Sequence, residues 1–265
     1  MSKRTFQDWR GEAIEVPGVP ERVVSLVPSV TDTLFTLGLG DRVVGVTRYC
    51  VHPSEEVRTR AQIGGTKNPD VEAIAALEPD LVLMNAEENR PIDVERLEER
   101  GLRVHVSMPR TVDETIEGIA DVGAMFDVPT EANAMIDDIL TARDEAEAKA
   151  SPRIAYLIWW KPIMTLNADT YIHDVLACAG AINAFAEHET RYPKIDADAI
   201  RDAAVDQVLL SSEPYEFGET ERRELAESTG LPLDRIRFVD GELASWHGAR
   251  TARGIRHVAA VLARG

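Results

Sequence analysis

Cys50 and His52 stand one residue apart in the stretch Thr47–Pro53 and pair a thiol with an imidazole. Sulfur and ring nitrogen are donors that soft and borderline transition metals select. Two donors do not complete a site, so His247, His173 or a carboxylate would have to close it. The other reading is that Cys50 and His52 pack and hydrogen-bond within their own loop. Aromatic and charged residues recur just after apolar runs. They are Tyr49, Lys67, Asn85 and Glu87 in the first half, and Trp159, Arg191, Tyr192, Glu213, Trp246 and Arg250 in the second. Aromatic faces with polar edges suit a flat, partly apolar ligand such as a tetrapyrrole. Arg191 and Arg250 would meet a carboxylate or phosphate on it, or pair with acids of the protein surface. Glu87, Glu88 and Asn89 suit amides or a cationic feature. One of Trp159 and Trp160 is expected in the core, because strand neighbours point to opposite faces. His105 lies in an apolar run and reads as a structural histidine.

No complete catalytic set accompanies these residues. The chain has no GxSxG elbow, no Walker A loop and no HExxH helix. Gly38-Leu-Gly40 stands at a helix end rather than after a strand, so it is not a dinucleotide fingerprint. The expectation is a binder without an obligatory cofactor, not an enzyme.

The elements that must position these residues occur twice. Residues 72–89, EAIAALEPDLVLMNAEEN, return at an offset of 126 as DAIRDAAVDQVLLSSEPY at 198–215. Each copy reads as a helix, an apolar strand and a polar loop with an acid at its mouth. Arg22-Val-Val-Ser-Leu26 opens one half and Arg153-Ile-Ala-Tyr-Leu157 the other. Short strands alternating with helices predict α/β lobes with parallel sheets. Ligands of such folds bind at loops after the strands, and a cleft between two lobes is the expected pocket. The expected layout is a polar arm over 1–21, a first lobe over 22–125, a connecting helix over 126–150 and a second lobe over 151–265. Ser29 or Thr31 is the expected cap of the first helix.

Composition narrows the partners. The formal charge is −17, with 46 acids against 29 bases. That balance opposes nonspecific nucleic-acid binding, which needs a basic face, and docking on anionic membranes. Two cysteines are too few for a disulfide framework. No apolar run approaches the ~20 residues of a membrane span. The N-terminal stretch lacks the apolar core of a secretory signal, which predicts a cytoplasmic protein as written. A leader already removed would make it periplasmic or extracellular. A monomer is expected.

RVVSLVPSVTDTLF from Arg22 to Phe35, GLGDRVVGV from Gly38 to Val46, Gly64-Gly65, and PDLVL from Pro79 to Leu83 carry a family likeness. They resemble the class III solute-binding proteins of ABC importers, which bind cobalamin, iron-siderophores, haem and some metals. The likeness runs over nearly the whole chain from Arg22 and is closest to the cobalamin-binding branch. It implies two Rossmann-like lobes joined by one long backbone helix, with ligand held in a shallow cleft and little hinge motion. It implies further that Glu72 and Asp198, matched in the repeat, dock on arginines of an ABC permease; the competing reading is that they serve the starts of their helices. Tyr49 matches a cobalamin-contacting position and Tyr192 falls where that branch carries an aromatic. Thr66 or Lys67 and Asn85 replace two further aromatics, so the ligand implied is cobalamin or another metal chelate. The rivals on the same scaffold are a cytosolic protein that stores, senses or hands over a tetrapyrrole or metal and, behind it, an enzyme acting on such a ligand.

Overall fold

A computed structural model describes residues 3–146 and 151–263 of the chain. The polar stretch before Arg22 forms an antiparallel hairpin, β1 (Lys3–Gln7) and β2 (Ala13–Pro17), rather than an open arm. Its turn is closed by Asp8, whose Oδ1 accepts from the backbone N–H of Arg10 at 2.9 Å and of Glu12 at 3.2 Å. Gly11 supplies the positive φ of 79° that the turn requires. The tip is tied down through Val106: Trp9 N–H donates to its carbonyl at 2.9 Å, and its N–H donates to Asp8 Oδ2 at 3.2 Å.

The chain divides into two compact units, Met1–Pro109 with Thr115–Ile136, and Arg110–Glu114 with Asp137–Gly265. The first continues with β3 (Val23–Ser25), α1 (Pro28–Thr36), β4 (Val43–Val46), α2 (Ser54–Val57) and β5 (Ala61–Gln62). A small ladder of β6 (Gly64–Gly65) and β7 (Asn68–Pro69) leads to α3 (Val71–Ala76), β8 (Leu81–Asn85), α4 (Pro91–Glu99) and β9 (Val104–Ser107). The order β5-β4-β3-β8-β9 is parallel throughout, so the direction of winding reverses between β3 and β8. Every residue of β8 is buried, as a central strand covered on both faces must be. Val24, Ile74, Val82, Met84, Leu97 and Val104 form the heart of this core. α1 starts at Pro28 without a side-chain cap, so the expected cap at Ser29 or Thr31 is corrected. Proline fits a helix start because its missing N–H would be unpaired there anyway. Thr31 Oγ1 instead lies 2.8 Å from Ser25 Oγ and 2.9 Å from the Val27 carbonyl.

The helices α5 (Val112–Phe126) and α6 (Pro129–Ala146) each contribute residues to both units. A Cβ on Gly123 would come within 2.5 Å of Ala132 Cβ, so glycine there allows the two helices to meet closely. The long connecting helix was expected through Ala150; residues 147–150 lie outside the described residues. The second unit continues with β10 (Arg153–Leu157), α7 (Tyr171–Cys178), β11 (Ile182–Asn183), α8 (Ala197–Asp202) and β12 (Gln207–Ser211). It ends with α9 (Glu219–Thr229), β13 (Ile236–Val239), α10 (Gly241–Ser245) and α11 (Thr251–Leu262). Its parallel order is β11-β10-β12-β13, reversing between β10 and β12.

The internal repeat is structural in detail. Asp70 caps α3 by accepting from Ala73 N–H at 3.0 Å, and Asp196 caps α8 by accepting from Ala199 N–H at 2.8 Å. Both helices then turn through a left-handed residue, Glu78 at φ 45° and Ala204 at φ 48°. An arginine and an aspartate lock each turn to its sheet. Asp80 Oδ2 accepts from Arg22 N–H at 2.9 Å, and Asp206 Oδ2 accepts from Arg153 N–H at 2.7 Å. The same arginines donate Nε to the Leu77 carbonyl at 3.0 Å and the Ala203 carbonyl at 2.8 Å, at the helix ends. Hydrogen bonds to charged groups contribute about 1.5–3 kcal/mol each. Asp80→Ala and Asp206→Ala should each lower unfolding free energy by about 2 kcal/mol in chemical denaturation. Losses below about 0.5 kcal/mol in both would show that the pairs hold nothing.

Candidate functional site

Open parallel sheets expose their strand-end loops at the point where winding reverses, and ligands bind there. In the first unit the loops after β4 and β8 carry the candidates. Tyr49 is half exposed, with the Arg48 guanidinium carbon 5.1 Å from its ring centre. Arg48 N–H donates to the Gly64 carbonyl at 2.9 Å, which joins this loop to β6. A Cβ on Gly65 would lie 3.0 Å from Arg48 Nη2 and 3.2 Å from Tyr49 Cε2. Gly65 is therefore the floor on which the cation and the ring rest. Lys67 Nζ donates to the Glu87 carbonyl at 2.6 Å and ties the β6–β7 turn to the loop after β8.

Asn85 was expected to face a ligand, but it is only 4% exposed. Its Oδ1 accepts from the N–H groups of Glu87 at 2.9 Å and Glu88 at 3.2 Å. Asn89 completes the loop: its Oδ1 accepts from Asn85 N–H at 2.9 Å and its Nδ2 donates to the Thr66 carbonyl at 2.9 Å. A tight turn leaves backbone N–H groups that need acceptors, and a short carboxamide supplies them. The two asparagines thus shape the loop that carries Glu87 and Glu88.

In the second unit Glu213, Trp246 and Arg250 come together. Trp246 Nε1 donates to Glu213 Oε2 at 3.2 Å. The Arg250 guanidinium carbon lies 4.8 Å from the Trp246 ring centre, and Nη1 pairs with Glu242 Oε2 at 3.0 Å. Arg250 is only 11% exposed, so this ion pair is held against screening by solvent. Gly241 makes the arrangement possible: a Cβ there would meet Glu213 N at 2.6 Å and Ser211 Oγ at 2.7 Å. Glu242 went unsuggested by the sequence because its partner is eight residues away, outside any helical spacing. Trp159 is 40% exposed and stands edge-on to Tyr215 at 5.6 Å, while Trp160 is the core member of the pair. Arg191 lies over Tyr192 at 5.5 Å and donates Nε to the Asp169 carbonyl at 2.6 Å. Asp169 Oδ1 also accepts from Arg110 Nη1 at 3.2 Å.

The metal-ligand candidates are placed differently. Cys50 is buried, with Thr31 Oγ1 at 3.1 Å and Thr47 Oγ1 at 3.3 Å from its sulfur. Burial raises its thiol pKa and disfavours the thiolate that binds metal. His247 belongs to the other unit and packs edge-on against Tyr171 at 6.1 Å. Among the described residues no three His, Cys, Asp or Glu side chains gather to hold a metal ion. Glu72 and Asp198 are exposed in the first turns of α3 and α8, each paired with an arginine, Arg100 and Arg201 respectively. The caps of those helices are Asp70 and Asp196, so Glu72 and Asp198 are left on the surface as charged pairs. His105 stands part-buried on β9, and desolvation lowers its pKa.

Desolvation pushes the His247 imidazole down to about 4 from an ordinary 6.5. The unfolded chain therefore binds the proton first as pH falls. Stability from the neutral ring is complete above about pH 6.5 and is lost as pH drops toward 4. By pH 5 the loss should reach roughly 2 kcal/mol. Thermal melts at pH 7.5 and pH 5 should show a smaller acid-side drop for His247→Asn than for the parent. Equal drops would show that His247 is not the sensitive group.

Comparison with known proteins matches this architecture. Residues 23–231 match the family model described as Periplasmic binding protein. The uncharacterized ABC transporter substrate-binding lipoprotein YvrC of Bacillus subtilis (strain 168) is 26% identical over 269 residues, covering 96% of this chain and 84% of its own. The periplasmic vitamin B12 binding protein BtuF of Vibrio cholerae has the same fold, with a TM-score of 0.80 at 23% identity over 92% of this chain and 97% of that one. The periplasmic heme-binding protein RhuT of Roseiflexus sp. RS-1, in apo form, gives 0.79 at 23% identity over 91% and 97%. Among the described residues no helix is long and apolar enough to cross a membrane. With the model matched from Val23 to Leu231, most of its length, the chain belongs to the periplasmic binding protein family.

Proposed function

We propose that this protein is a solute-binding protein that captures a corrinoid or a comparable planar metal chelate and delivers it to an ABC permease. The observation that carries the reading is the preformed array of Glu213, Trp246, Arg250 and Glu242 at the carboxyl end of the second unit's sheet. Side chains already fixed by one another lose little freedom on binding, which favours affinity. Tyr49 and Trp159 add exposed aromatic surface on the strand-end loops of the first and second units. The names of BtuF and RhuT put vitamin B12 and heme among the ligands of proteins with this fold. Arg191, Lys67 and Glu87 would select the polar periphery of the ligand. Delivery to a permease would require the protein to work outside the cytoplasmic membrane.

Within this reading, haem or another non-corrinoid chelate is favoured over a corrinoid by the first unit's wall. Thr66, Lys67 and buried Asn85 stand where the resemblance to cobalamin binders leads one to expect aromatics. Calorimetric titration of metal-stripped protein with cyanocobalamin, and then with haemin, separates the two. One-to-one binding of either identifies the class, and binding of neither overturns the proposal.

Tyr49→Ala and Trp246→Ala should each weaken binding more than about tenfold, the scale of a lost aromatic contact. Unchanged affinity in both would remove these faces from the site. Glu72 and Asp198 would meet arginines of the permease in place of their own. Glu72→Lys with Asp198→Lys should leave ligand affinity within about twofold but abolish ligand-stimulated ATP hydrolysis by the reconstituted permease. Retained stimulation would assign the two carboxylates to their own helices alone.

A further inference from the structure

The first unit holds a pocket of about 220 Å³ that lies apart from Tyr49 and involves the hairpin tip. Its floor is the buried apolar trio of Met84, Val94 and Val106. One wall is the face of α4 made by Pro91, Glu95 and Glu98, which spacings of three and four residues bring to one side of the helix. The other is Trp9, 53% exposed, a high value for so large an apolar ring. The hairpin tip that carries Trp9 is fixed on both sides. Its backbone bonds to Val106, and Arg10 reaches from it to Glu98 at 2.7 Å and to the Val104 carbonyl at 3.2 Å. The pocket is therefore built, with its aromatic wall held at a set distance from α4.

The charges around it are unevenly matched. Arg10 is paired with Asp8 and Glu98, and Arg90 with Asp93. Glu95 has no ion-pair partner among the described residues, and no cation lies over the Trp9 ring. An apolar floor, an indole face and an uncompensated carboxylate share one complement. We propose that this pocket binds a small organic cation, an alkylammonium group on a short apolar stem. The stem covers Met84 and Val106, the charge sits between the Trp9 face and Glu95, and the cation–π and ionic attractions act on the same centre. The two arginines that line the pocket, Arg10 and Arg90, already hold carboxylates of their own, whereas a carboxylate ligand would meet Glu95 with like charge and a neutral one would gain no ionic contact there. The pocket borders the Asn85–Asn89 loop, but its proposed contacts are to Trp9 and Glu95, so it stands if the metal-chelate reading fails.

The test uses the full chain, the probe n-butylammonium and the neutral isostere butan-1-ol. The Trp9 indole N–H resonance is assigned by its absence in Trp9→Phe. Butylammonium is expected to shift that resonance saturably, with butan-1-ol at least threefold weaker. Glu95→Gln, an exposed substitution that leaves the core intact, should weaken butylammonium at least threefold while the rest of the spectrum keeps its dispersion. No saturable shift at Trp9 overturns the proposal. So does an equal response to alcohol and ammonium, or an affinity unchanged in Glu95→Gln.

Discussion

Each sheet is held to its neighbouring helix by one arginine and one aspartate. The aspartate binds the backbone of the strand before it, and the arginine binds the carbonyls left open at the helix end. Between them the chain passes through a left-handed residue that is not glycine, Glu78 in one unit and Ala204 in the other. Such backbone is unfavourable by about 1–2 kcal/mol for an L-residue, so it persists only where neighbours hold it. What this lock fixes is register. The helix end, the turn and the start of β8 or β12 are set together, and the loop at the far end of that strand inherits the position.

The loops then acquire their shape from close approaches and internal pairing. Gly65 lets Arg48 and Tyr49 lie against a turn, and Gly241 lets α10 reach the end of β12. Asparagine carboxamides satisfy the turn after β8, while carboxylates fix Trp246 and Arg250 after β12 and β13. The two units solve the same problem with different chemistry: neutral amides in the first and ion pairs in the second. Some of the acids thus have a local use, as Glu242 does in holding Arg250.

Much of this was legible in the residues. The offset of 126 places α3 over α8 and β8 over β12 residue for residue, because helix cap, turn and strand start are local signals repeated intact. Parallel sheets followed from alternation alone. The hairpin over Lys3–Gln7 and Ala13–Pro17 was missed because its polar strands lack an unbroken apolar face. Glu213, Trp246 and Arg250 were found as separate loop residues, yet the contact that unites them with Glu242 depends on how α10 packs. Asn85 illustrates the opposite failure: a polar residue at a strand end reads as exposed, but here it satisfies backbone groups beneath the surface. Cys50 and His52 had suggestive spacing, and only the burial of the sulfur between two threonines shows where the thiol points.

The hairpin tip has one more consequence. β9 is the last strand of its sheet, and on its open side Val106 bonds to Trp9 and Asp8. An edge strand with free N–H and C=O groups is a template for another chain. The hairpin tip around Asp8 and Trp9 therefore acts as a selvedge, a finished border that keeps the fabric from being extended. A version beginning at Arg22 would keep every strand of the parallel sheet but lose buried Val16, and it would offer β9 to its own copies.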